Sequence, residues 1–278
     1  MQAGTSIFHS KGDTMRFTTI LLGGLALASA APAFAQDETA PPPALKLSGG
    51  TTLISDYRFR GATQTDSGPA LQTTLNLNHK SGFYVGTFMS TIDGSGRTPA
   101  LTGYGQAEVD LYGGFTKTLK GGFGVDAGLL YYYYVGHVSG QKTDFFEPYA
   151  SITYTVGPVA TKAGVAYAWD GQKGLSGFDV RSTNDSNIYA YGEASVGIPT
   201  TPVTLKGHLG YSKGSLGSLN IPGSRDDDYF DWSATAEAVG GPLKVGVSYV
   251  GTDISNQNRF AQRLGRGSTV LAYIGTSF

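Results

Sequence analysis

Hydrophobic and polar residues alternate along much of this chain with a period of two. The run from Leu47 to Arg60 shows it at length. Leu47, Gly49, Thr51, Leu53, Ser55, Tyr57 and Phe59 share one face. Lys46, Ser48, Gly50, Thr52, Ile54, Asp56, Arg58 and Arg60 share the other. Side chains of a strand point alternately to opposite sides, so the pattern describes an extended segment with one mostly apolar and one mostly polar wall. A strand of this length with a greasy and a charged face suits a membrane barrel, where one face meets lipid and the other a wet lumen.

The same reading gives twelve strands, near 46–60, 69–80, 83–92, 104–116, 122–136, 145–156, 159–170, 187–197, 203–213, 228–239, 243–254 and 268–278. Their connections sort by length. Ser81-Gly82, Thr118 to Gly121, Gly157-Pro158, Ile198 to Pro202 and Gly240 to Pro242 are short. The links 61–68, 93–103, 137–144, 171–186, 214–227 and 255–267 are longer, and the two kinds alternate strictly. Outer-membrane barrels combine an even strand number with short periplasmic turns and long outer loops. The expectation is an all-β, transmembrane, up-and-down antiparallel β-barrel of about twelve strands, with both termini on the periplasmic side.

Aromatic positions support this. On the alternation register Tyr57, Phe59, Tyr131, Tyr133, Phe146, Tyr167, Trp169, Tyr211, Phe230, Trp232 and Tyr249 face outward near the long loops. Phe83, Phe115 and Phe123 do so near the short turns. Amphipathic rings collect at both membrane–water interfaces. The last strand places Val270, Ala272, Ile274, Thr276 and Phe278 on one face, and a terminal aromatic there is the expected assembly signal for the barrel assembly machinery.

Composition narrows the class. Only 15% of the residues are charged, there are 41 glycines and 17 tyrosines, and the net charge is −1. Such a chain is β-rich with many turns and lacks the basic surface that nucleic acid demands. Without cysteine it has neither disulfides nor a thiolate metal site. Residues 1–35 read as a signal peptide with an upstream extension, Met15 being the expected start. Arg16 supplies the positive region, Ile20 to Ala31 the apolar region, and Ala33-Phe34-Ala35 the cleavage site. Residues 36–45, with three consecutive prolines, read as a periplasmic linker. The barrel then occupies 46–278, and the expected location is the outer membrane.

The runs SGGTTLISDYRFRG (48–61), QTDSGPALQ (64–72) and SGFYVGTFMS (81–90) resemble the TorF family of porin-like proteins. The likeness continues through Glu108, Asp110 and Tyr112, Asp126-Ala127-Gly128 and Glu147-Pro148-Tyr149, and weakens in the loops 171–186 and 214–227. It implies an outer-membrane barrel with a channel role and carries no catalytic motif.

Candidate chemistry lies on the inward register. Asp56, Arg58, Arg60, Glu108, Asp110, Asp126, Glu147, Lys162, Asp170, Glu193, Lys206, Asp231 and Glu237 are the pore-lining candidates, with Lys46 and Lys244 on the same face. Charges of both signs suit a water-filled lumen with a charge-selective constriction. The alternative is a closed interior of paired charges. Arg58 and Arg60 are expected on the first strand, opposed across the lumen by Glu147 and Asp170, or else braced locally by Asp56. The function expected is passive diffusion of small hydrophilic solutes or ions, without cofactor or metal. A rival hydrolase would need a Ser/His pair in hydrogen-bond reach. His9 lies in the leader, His79 faces outward and His137 opens a loop, which leaves His208, with Ser212 above it. Asp226-Asp227-Asp228 reads as a solvated loop tip rather than a Ca²⁺ site.

Overall fold

The computed structural model describes residues 43–97, 101–177, 185–216, 227–254 and 265–278. The signal segment, most of the linker and Asp226 lie outside the described residues. Alternating sequence produces long strands. These are β1 (Leu45–Ile54), β4 (Ala70–His79), β5 (Phe83–Thr91), β6 (Ala107–Thr118), β7 (Phe123–Val135), β8 (Phe145–Val156), β9 (Val159–Ala168), β10 (Asn187–Gly197), β11 (Val203–Gly214), β12 (Asp228–Gly240), β13 (Leu243–Thr252) and β14 (Thr269–Ser277). Two short strands, β2 (Arg58–Phe59) and β3 (Ala62–Thr63), form a separate hairpin.

The twelve long strands close into one antiparallel barrel in which sequence neighbours are also sheet neighbours. Closure joins β1 to β14, from Gly50 opposite Ser277 to Ile54 opposite Tyr273. Phe278 extends the seam: its N–H donates to the Gly49 carbonyl (2.9 Å), and the Gly49 N–H donates back (3.1 Å). Among the described residues the barrel sheet has no edge strand, which is the condition for a sheet in lipid. Glycine at position 49 is required by this approach, because a Cβ there would sit 2.6 Å from the Thr74 carbonyl and 3.0 Å from the Phe278 ring.

Large apolar side chains lie on the outside. Val270 is 64% exposed and Phe83 63%, with Leu47, Leu53, Leu111, Leu209, Val245 and Val247 between them. Water would oppose such a surface and lipid accepts it. Tyr133, Phe146, Tyr167, Trp169, Phe230 and Tyr249 are exposed at the long-loop end, as the alternation required.

The first strand departs from expectation. It ends at Ile54, not Arg60, and residues 55–69 turn into the barrel instead of continuing its wall. Tyr57 is buried, and Phe59 packs against the interior cluster rather than lipid. Local chemistry explains the break. Arg60, Gly61, Asp66 and Ser67 all have positive φ, which ends extended structure. Asp56 gathers the segment around itself, accepting from the Thr63 hydroxyl (2.5 Å), the Thr65 hydroxyl (3.1 Å) and Arg58 Nε (2.6 Å). The Arg60-Gly61 dipeptide turns the β2–β3 hairpin with φ of 46° and 81°. Two positive values are what a tight two-residue hairpin turn demands, and Arg60 bears that geometry without glycine's freedom.

Candidate lumen and constriction

The inward-folded segment is held from the walls. Tyr57 donates to Glu108 of β6 (2.9 Å), and Tyr229 of β12 donates to the Arg60 carbonyl (2.9 Å). Asp93, at the end of β5, donates its N–H to the Gln64 carbonyl (2.8 Å). Burial pushes the Asp93 carboxyl up, but the Ser95 hydroxyl and amide and Arg97 outweigh it and hold the group below its ordinary value.

Arg60 reaches the β8 wall. Its Nη2 lies 2.8 and 2.7 Å from the two carboxylate oxygens of Glu147, which also accepts from the Tyr132 hydroxyl (3.1 Å). The guanidinium sits 4.1 Å from the Tyr189 ring centre and 4.8 Å from that of Phe59. The side chains of the pair are 2% and 0% exposed, so removing one charge strands the other, at about 3–5 kcal/mol. Arg58 is braced at short range instead. It pairs with Asp56 and donates to the carbonyls of Gly61 (3.0 Å) and Gly267 (3.3 Å), and to that of Gly265.

The two arginines of the first segment part ways. Arg60 opposes Glu147, though in direct contact rather than across open space. Arg58 takes the local arrangement with Asp56. Asp170 corrects the sequence reading: β9 stops at Ala168, and Asp170 is exposed beyond it, so it does not point inward from a strand. The reason is the turn at Gly171, whose positive φ ends the extended run.

The other candidates point inward from the strands. Several of them line up across neighbouring strands. Lys162 stands opposite Glu193, and Glu193 opposite His208. His208 Nδ1 lies 3.4 Å from Glu193, and its Nε2 lies 3.1 Å from Asp231 and 2.9 Å from the Tyr189 hydroxyl. Lys206 donates to Glu237 (2.6 Å), which also accepts from Tyr273 (2.8 Å). Asp126 accepts from Tyr84 (2.9 Å). Glu108 and Asp110 are buried on β6, and Asp110 Oδ1 has no hydrogen-bond partner among the described residues. Lys46 is exposed near the start of β1, and Lys244 is buried on β13.

Lys162, Glu193, Lys206, His208 and Asp231 line a cavity of about 230 Å³. Tyr57, Arg58, Arg60 and Gly61 lie at its upper boundary. Thr155, Ala160, Ser195 and Thr235 reach toward the short-turn end. Above the crossing segment the interior is packed. Tyr104 meets Tyr134 edge-on at 4.6 Å, Tyr132 stacks on Phe145 at 4.3 Å, and Leu101, Leu175, Leu216 and Arg266 are fully buried.

A family model described as a bacterial protein of unknown function (Gcw_chp) matches residues 37–278. The chain belongs to that family. Comparison with curated proteins found no match. Among solved structures this Gcw_chp chain is similar to the NanC porin at 12% identity, over 84% of this chain and 99% of that one, with a TM-score of 0.54. It also aligns with Salmonella typhi OmpF in complex with daunomycin at 11% identity, over 84% and 97%, with a TM-score of 0.42. The likeness to NanC is one of fold.

Sequence reasoning missed two features of the Gcw_chp lumen. The first is the crossing segment. Its signal was the turn chemistry of Arg60-Gly61 and Asp66-Ser67-Gly68-Pro69. The second is a set of inward tyrosines laid over inward glycines. Tyr112 faces Gly86, Tyr84 faces Gly114, Tyr149 faces Gly128, Tyr191 faces Gly164 and Tyr273 faces Gly246 across adjacent strands. A Cβ at Gly246 would lie 2.1 Å from the Tyr273 ring, and one at Gly164 would lie 2.4 Å from Tyr191. Glycine therefore lets each ring lie along the wall, covering exposed backbone. The run Tyr131 to Tyr134 was the visible clue, since alternation sends two of its four rings inward. As for hydrolysis, the Ser212 hydroxyl is engaged with Asn187 (3.3 Å) rather than His208.

Proposed function

We propose that this protein is an outer-membrane, porin-like channel for passive diffusion of small hydrophilic solutes or ions, constricted by the segment 55–69. The observation that carries the reading is a closed twelve-stranded barrel, apolar outside, whose charged inner chamber is bounded by one charged crossbar, Arg60–Glu147. Charged groups of both signs at a low-dielectric narrowing sort solutes by charge and dipole. The resemblance to the TorF family agrees with this, and the leader at 1–35 supplies the route of export. Lipid, the barrel assembly machinery and the permeating solutes are the partners implied; the chemistry needs no cofactor.

The test is conductance of the refolded protein in a planar bilayer. Steady ohmic steps are expected. The double variant Arg58→Glu, Arg60→Glu is expected to shift the reversal potential toward cation preference. The packed outer half favours a second reading, a plugged structural barrel. Under it, wild type and a variant lacking residues 58–64 are both silent in several lipids, and that result would refute the channel.

A further inference from the structure

The site that holds Arg60 has the features of a ligand site. Glu147 is fully buried, offers two carboxylate oxygens and is oriented by the Tyr132 hydroxyl. The Tyr189 ring supplies a flat aromatic face at 4.1 Å, the distance at which a ring attracts a delocalised cation. A buried carboxylate beside an aromatic plate recognises a planar guanidinium better than a compact ammonium.

Arg60 fills this site imperfectly. Both Glu147 oxygens are met by Nη2 alone, while Nη1 is buried and has no acceptor among the described residues. A well-placed guanidinium would set two nitrogens against the two oxygens. Arg60 is also held at φ 46°, a conformation that residues bearing a Cβ occupy at a cost. Asp110, the cross-strand neighbour of Tyr132, adds a buried carboxylate whose Oδ1 has no partner. Arg60 and Tyr189 both line the chamber below, so a solute there reaches the edge of the site.

We propose that Glu147, Tyr132 and Tyr189 form a recognition site for guanidinium-bearing solutes, which Arg60 of the crossing segment occupies as a tethered stand-in until a solute displaces it. Displacement frees the hairpin from the β8 wall and widens the constriction. The inference rests on the channel reading for its consequence, but its binding step does not.

The test uses L-arginine as the probe, with calorimetry on the full-length mature protein refolded in detergent. A tether of this kind presents its group at roughly millimolar effective concentration, so wild type is expected to bind only at millimolar L-arginine. Arg60→Ala vacates the site and is expected to bind at least tenfold more tightly. Arg60→Gln provides a second vacated site should the alanine variant misfold. Citrulline, neutral and of the same shape, is expected not to bind, and L-lysine to bind more weakly. Adding Glu147→Gln to Arg60→Ala is expected to abolish binding. Equal affinity in wild type and the vacated variants, equal binding of citrulline, or no binding to either vacated variant overturns the proposal. Ordinary conductance without arginine binding sinks this inference alone. Arginine binding in a protein that never conducts sinks the channel reading and leaves the site standing.

Discussion

Glu147→Gln tests whether charge holds the crossing segment in place. The substitution keeps the volume and leaves the Arg60 guanidinium buried against a neutral amide. Breaking a buried ion pair from one side costs about 3–5 kcal/mol. The amide oxygen still accepts a hydrogen bond and the Tyr189 ring still lies at 4.1 Å, so the lower figure, about 3 kcal/mol, applies. At 1.4 kcal/mol per decade this raises the fraction of undocked segment by about a hundredfold. The barrel itself is unaffected, because its strands are held by the backbone ladder. Trypsin cleavage after Arg58 reads the undocked fraction, since that side chain is 7% exposed when docked. Where opening is fast relative to cleavage, the rate follows the open population. The Glu147→Gln protein in liposomes is expected to be cut about a hundredfold faster than wild type while its heat-modifiable gel mobility is unchanged. The double variant Arg60→Met, Glu147→Gln removes both charges and is expected to return to within about tenfold of wild type, because loss of a whole buried pair is nearly neutral. Wild-type cleavage rates in the single variant would refute the electrostatic account. A double variant cut as fast as the single one would show that packing, and not charge, docks the segment.

Two further outcomes follow from the walls. Deleting Phe278 removes both backbone hydrogen bonds to Gly49 and the ring over it; the folded, heat-modifiable form in the membrane is expected to fall severalfold, and unchanged levels would make the terminal aromatic incidental. Gly246→Val places a side chain where Tyr273 lies, 2.1 Å from its ring, and breaks the 2.8 Å bond to Glu237; a loss of about 1–2 kcal/mol is expected from unfolding in urea, and a stability equal to wild type would show that the ring simply swings into the chamber.

Local order was legible from residue types alone. Period-two alternation located the twelve long strands, because side-chain direction in a strand depends only on position parity. Loop lengths sorted the two ends of the barrel, and Tyr167, Trp169, Phe230 and Tyr249 took the outward-facing positions their parity assigned. Parity failed where the backbone leaves the strand. Arg60 was expected to face the lumen from the end of the first strand, yet that strand stops at Ile54, and the turn at Arg60-Gly61 carries it into direct contact with a partner 87 residues away. Asp170 was misplaced for the same reason at Gly171. Tyr57 and Phe59 look identical in sequence to girdle aromatics, because a ring that covers lipid-facing wall and one that fills a lumen have the same chemistry. Only closure of the barrel decides between them. It brings β8, β10 and β12 opposite the end of β1, where Glu147, Tyr189 and Tyr229 meet Arg60.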